Sequence, residues 1–106
     1  MVVGGTGGSK IISAVAKAII RHLFFGETLK EAIDAPMLHH QFIPFYNMID
    51  GEFPKDLKSV MESKYGHEFR NNTGFRGVVH AVTVEEDGIH ACGDFRRTTP
   101  QVPDGV

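Results

Sequence analysis

Four glycines fall within six residues, Gly4-Gly5-Thr6-Gly7-Gly8-Ser9, between a short apolar stretch at residues 1–3 and an apolar-periodic one. This order predicts a strand that turns directly into a helix. Glycine takes positive φ without a Cβ penalty and lets backbone N–H groups come close to a ligand. The helix start adds unpaired donors and the positive end of its dipole. Together these make a site for negative charge, whether phosphate, carboxylate or a transition-state oxyanion. Spacing excludes two phosphate motifs. A P-loop requires Gly-Lys-Ser/Thr in that order, and here Ser9 precedes Lys10. A dinucleotide fingerprint begun at Gly5 demands glycine where Lys10 stands, and one begun at Gly4 demands it where Thr6 stands. The competing reading is a tight turn that lets the helix pack on the strand.

Beyond the turn, Ile12, Val15, Ile19 and Leu23 recur at helical spacing, while Lys10, Lys17 and Arg21 fall on another face. Ser9 suits the N-cap of this long helix and Gly26 its end. Thr28 and Glu31 form a capping-box signature for a short helix over residues 28–35, stopped by Pro36. Residues 38–42 and 46–49 predict short strands, Asp50-Gly51 a turn, and residues 54–64 a third helix ended by Gly66. That helix places Leu57, Val60 and Met61 on one side. Residues 67–71 predict a strand, and 77–85 a β-branched one suited to burial. A hairpin turn at Glu85-Glu86-Asp87-Gly88, read as a solvated tip, returns the chain along 89–93.

The chain has 106 residues, 42% hydrophobic and 23% charged, which fits a globular domain or a piece of one. A net charge of −2 with scattered Lys and Arg offers no basic stripe, so nucleic acid is not an expected partner. The single cysteine, Cys92, excludes an internal disulfide and a multi-thiolate zinc site, and reads as an inert buried thiol. No run of about 18 apolar residues is present to span a bilayer as a helix, and the first residues lack a signal-peptide pattern. A domain seldom begins within a strand, so the start points to a truncated piece.

The segment VVGGTGGSKIISAVA, followed in order by LFFG-x-x-LKEAI-x-AP-x-LHHQ, VVHAV and GIHA-x-x-D-x-R, resembles the gamma-glutamyltransferase (glutathione hydrolase) family. The likeness is to the C-terminal part of the small subunit over residues 1–97, with 98–106 an irregular tail. It implies an α/β fragment of an N-terminal-nucleophile hydrolase αββα sandwich, with a glycine loop, a long helix, two shorter helices and mainly antiparallel strands. It also implies cleavage of the γ-glutamyl amide of glutathione by an N-terminal threonine whose own α-amine is the base, then transfer to water or an amino acid or peptide acceptor. On this resemblance Gly7 and Gly8 match the Gly-Gly pair that lends backbone N–H to the oxyanion.

The threonine nucleophile and the groups that grip the substrate's α-amino group and carboxylate belong upstream of Met1. Thr6, Thr28 and Thr73 do not replace the nucleophile, and the isolated chain is expected to be inactive. The implied partners are glutathione and γ-glutamyl compounds, the large subunit, and the missing N-terminal part of the small subunit. No cofactor is implied. The implied location is the outer face of the plasma membrane or outside the cell. Two departures stand out: Met37 where the family has Arg, and Gly93-Asp94-Phe95-Arg96-Arg97-Thr98-Thr99 where it has Ser-Asp-x-Arg-Lys-Gly-Gly. Asp94 and Arg96 are retained and are candidates to support the site.

Lesser signals add little chemistry. His39-His40 with His67, His80 or His90 would be an awkward metal set, because adjacent strand residues point to opposite faces, so no metal site is expected. Asn71-Asn72-Thr73 fits the N-glycosylation acceptor pattern. Two alternatives to an enzyme segment are a non-catalytic light-chain-like product and a small anion-binding module built on the glycine turn.

Overall fold

The computed structural model describes residues 1–71 and 77–96. In chain order the strands are β1 (Val2–Thr6), β2 (Leu38–His39), β3 (Asn47–Ile49), β4 (Phe69–Asn71), β5 (Val78–Glu85) and β6 (Gly88–Cys92). The helices are α1 (Ile11–Ile19), α2 (Leu29–Asp34) and α3 (Lys55–Tyr65). The described residues form two compact units, one of residues 1–35 with 77–96 and one of 36–71.

The first unit is an antiparallel sheet ordered β1-β5-β6, with α1 and α2 packed on one face. Strand alternation explains which residues that face buries. Val79, Ala81 and Thr83 point one way and are buried, while Val82 and Val84 point the other way and are exposed. Against the buried set lie Ala14 and Ala18 of α1 and Leu29, Ala32 and Ile33 of α2. The helix approaches closely because its contact residues are small. A Cβ on Gly77 would stand 2.9 Å from the Ala14 Cβ, and one on Gly5 would stand 2.7 Å from the Val78 carbonyl oxygen.

Strand β1 does not stop at the first glycines, as the sequence suggested. It continues through Gly4, Gly5 and Thr6, which pair with His80, Val79 and Val78. The helix then opens with a 3-10 turn, Gly8–Lys10, and α1 takes Lys10 rather than Ser9 as its N-cap, without a side-chain cap bond. A π-helical segment, Ile20–Phe24, extends α1, and Gly26 at φ 73° ends it as expected. Short α2 has its capping box complete, with Thr28 and Glu31 bonded reciprocally.

The second unit holds the sheet β2-β3-β4 and α3. Here β2 is two residues long where a five-residue strand was expected, and Phe42 lies at φ 69°, outside strand geometry. Pairing of β3 with β4 is parallel, the exception to the antiparallel pattern. Buried Asp50 anchors this unit by accepting a bond from the Met37 N–H at 3.0 Å. Helix α3 ends at Gly66, in the left-handed region at φ 70°. The expected tail at 98–106 lies outside the described residues. No described helix is long and apolar enough to cross a membrane.

Candidate functional site

The turn between β1 and α1 is where the backbone departs furthest from what side chains tolerate. Gly7 sits at φ 133° and Gly8 at φ 60°, consecutive residues in the region that favours glycine. The Gly7 carbonyl accepts the Lys10 N–H at 3.2 Å, and the Gly8 carbonyl accepts that of Ile11. With both carbonyls turned into the helix, the same two peptide units place the Gly8 and Ser9 N–H groups at its start, where helical N–H groups lack intrahelical partners. Nothing lies within 4 Å of a Cβ placed on Gly8, so backbone angle, and not crowding by this chain, selects glycine there. Gly8 and Ser9 are exposed and Gly7 is half-buried, while Gly5 on one side and Gly77 beneath the helix start fix the ends of the turn. Thr6, the last residue of β1, is exposed, Thr28 is the N-cap of α2, and Thr73 lies outside the described residues.

Asp94 and Arg96 are brought together elsewhere. Asp94 Oδ2 accepts the Val79 N–H at 2.9 Å, extending the β5 ladder with a side chain, while Oδ1 accepts the Arg96 N–H and guanidinium at 3.0 Å each. Arg96 then donates to the carbonyls of Ile33, Asp34 and Ala35 at 2.9, 3.3 and 2.8 Å. Both side chains are 1% exposed. They are held by the protein's own backbone, and their link to the glycine turn runs through β5, where Val79 pairs with Gly5.

Lys17 completes this arrangement and was missed in the sequence. Its Nζ donates to the Ile33 and Ala35 carbonyls at 2.7 Å each. Two cations from distant parts of the chain thus satisfy the last carbonyls of α2, where the negative end of its dipole lies. The available signal was a lone lysine set between two alanines that the helix buries, Ala14 and Ala18.

The remaining candidates are dispersed. Asn71 is exposed at the end of β4, with Asn72 and Thr73 outside the described residues. His39 contacts Gln41, His40 accepts the Phe42 N–H, and His67 contacts Asn47. His80 Nε2 is buried without a hydrogen-bond partner among the described residues. Cys92 is half-buried, and burial, with Asp34 adding to it, pushes its thiol pKa up, away from the reactive thiolate. It lines a shallow hollow of about 390 Å³ with Thr28, Leu29, Lys30 and residues 89–91, at the β6 edge and so across the sheet from the glycine turn.

A family model described as gamma-glutamyltranspeptidase matches residues 1–103. The chain is 34% identical over 100 residues to human glutathione hydrolase 5 proenzyme, covering 92% of this chain and 16% of that protein. It is 33% identical over 98 residues to scoloptoxin SSD14 of Scolopendra dehaani, covering 92% and 17%. A Helicobacter pylori gamma-glutamyltranspeptidase mutant overlays with a TM-score of 0.78 at 28% identity, over 90% of this chain and 53% of that one. An acivicin-inhibited gamma-glutamyltranspeptidase overlays at 0.79 and 28%, over 92% and 54%. This chain therefore spans about one sixth of those two curated relatives and about half of the solved chains.

Proposed function

The chain belongs to the gamma-glutamyltranspeptidase family, and from that membership we propose that it is the C-terminal part of the small subunit of a glutathione hydrolase or gamma-glutamyltransferase. The assembled enzyme cleaves the γ-glutamyl amide of glutathione and passes the acyl group to water or to an amino acid or peptide acceptor. The attacking hydroxyl belongs to a threonine at the small-subunit N-terminus, outside these 106 residues, with its own α-amine as base. When that hydroxyl adds to the amide carbonyl, the carbonyl oxygen becomes an anion. The N–H groups of Gly7 and Gly8 stabilise it, and because the turn is fixed in advance they need no reorganisation as charge develops. The large subunit and the upstream part of the small subunit complete the site, and the isolated chain is inactive. Asp94 and Arg96 support the site at a distance by fixing β5 against α2. Asn71, exposed on its strand, is the glycan acceptor in an enzyme that acts outside the cell.

The observation that carries this reading is the pair of successive positive-φ glycines at the turn into α1, φ 133° and 60°. The test is replacement of Gly7 and Gly8 by alanine in the whole enzyme, with folding followed by circular dichroism. Alanine keeps the N–H but resists φ 133° and 60°, so it turns the donors away from the oxyanion; loss of one such donor costs about 2.7–4 kcal/mol, and kcat should fall about 10²–10³-fold while KM changes far less. A doubly substituted enzyme that keeps its rate would remove these glycines from the mechanism.

A further inference from the structure

The glycine turn lies between β1 and α1, and both elements are tied to the same two oxygen atoms. Lys17, near the end of α1, donates from Nζ to the carbonyls of Ile33 and Ala35 at 2.7 Å each. Arg96 donates to those same carbonyls, from Nη1 to Ile33 at 2.9 Å and from Nη2 to Ala35 at 2.8 Å. A carbonyl oxygen has two lone pairs, so each of these oxygens has both engaged. They belong to the last turn of α2 and the residue after it, where a helix leaves its oxygens without intrahelical partners. The end of α2 is thus a common anchor for a lysine of α1 and an arginine beyond β6.

Each cation leads back to one side of the glycine turn. Arg96 holds Asp94, whose Oδ2 accepts the Val79 N–H, and Val79 pairs with Gly5 of β1. Lys17 stands about two helical turns from Lys10, whose N–H closes the glycine turn on the Gly7 carbonyl. Ala14 and Ala18, close to Lys17 on α1, are fully buried, so α1 lies near enough to α2 for the four-carbon stem to span the gap. Strand side and helix side therefore meet again at the Ile33 and Ala35 carbonyls.

We propose that Lys17 is a positioning residue for the reaction. By sharing its acceptors with Arg96 it fixes α1 relative to β1, and so keeps the amide groups of the glycine turn aimed at the developing oxyanion. This rests on the enzymatic reading above and adds the residue that sets the helix side of the turn, where Asp94 and Arg96 set the strand side. A cation at the negative end of the α2 dipole also stabilises the fold. That contribution alone would leave the turnover of folded enzyme unchanged.

The test is made in the whole enzyme with Lys17→Met, which keeps the stem and removes the donor, and Lys17→Arg, which keeps a donor. Arg96 still donates to both carbonyls in either variant, so neither oxygen is left unsatisfied, and circular dichroism checks the fold. Lys17→Gln, a shorter neutral donor, takes the place of Lys17→Met should the latter not fold. Misplacing a reacting group by about 1 Å costs on the order of 10²-fold. The kcat of Lys17→Met should accordingly fall about 10–100-fold with KM little changed, and Lys17→Arg should recover most of it. Hydrogen exchange at the Lys10 and Ile11 amides, which bond the Gly7 and Gly8 carbonyls, should be faster in Lys17→Met and near the parent rate in Lys17→Arg. Unchanged exchange at these amides in a folded Lys17→Met overturns the proposal and leaves the enzymatic reading standing. Faster exchange with unchanged kcat overturns it by the other route, because the turn then has no part in turnover, which the Gly7 and Gly8 variants report independently.

Discussion

Gly4 and Gly5 are neighbours in β1 with opposite tolerances. A Cβ on Gly5 would meet the Val78 carbonyl oxygen at 2.7 Å, a backbone atom in the central strand that cannot swing aside, while one on Gly4 meets nothing within 4 Å. Gly5→Ala should therefore destabilise the assembled protein by about 1–3 kcal/mol, as overpacked sites do. Gly4→Ala, on an exposed position, should stay within about 0.5 kcal/mol of the parent. Urea unfolding of the two variants checks this, and equal costs would mean that the strand, and not the contact, selects these glycines. The same contrast explains how far the sequence could be read. It placed glycines where a strand meets a helix, but composition does not say that Gly5 answers to packing and Gly8 to backbone angle. That distinction needs the register with β5. The distant partners of Asp94, Arg96 and Lys17 were opaque for a related reason. Arg96 reaches carbonyls more than sixty residues away, and no local spacing encodes such a partner.

Helix α2 is held at both ends by groups of different legibility. Its N-terminal box, Thr28 with Glu31, is local and could be read directly, whereas its C-terminal carbonyls are satisfied by Lys17 and Arg96 from other elements. Hydrogen bonding from Thr28, side chain first and backbone second, holds the Glu31 carboxyl below its ordinary 4.5. The stabilisation is therefore complete above that value and is lost as pH falls through the lowered one. Glu31→Gln should be less stable than the parent at neutral pH, and the gap should narrow in acid. A gap that is constant between neutral and acidic urea titrations would mean that the carboxylate adds nothing to the cap. Other elements followed the same division. The β5–β6 hairpin and the Gly66 stop of α3 rest on local chemistry and were legible. The parallel partnership of β3 with β4 spans some twenty residues and has no local sign. The expected strand beyond His39 is absent because the chain takes positive φ at Phe42.

At the scale of the whole molecule, the sheet of the first unit has one clothed face. Helices α1 and α2 cover the side of Val79 and Ala81, while Val2, Val84 and Ile89 on the other side are 75%, 78% and 72% exposed. Apolar residues gathered on one sheet face mark a surface that a partner covers. Strand β1, whose end carries the glycine turn, is also an edge of the described sheet, with one row of backbone groups open to pairing. The chain spans 53% and 54% of the two solved chains it overlays, so much of the surrounding structure in those proteins has no counterpart in these 106 residues. A turn meant to hold donors still for an oxyanion needs its strand held still as well. The isolated chain should consequently unfold over a broad range and bind a dye for exposed apolar surface. Together with the rest of its protein it should melt sharply, and calorimetry of the two preparations compares them. A single cooperative transition in the isolated chain would mean that the bare face costs it little, and that the glycine turn keeps its geometry without the neighbours on which the enzymatic reading depends.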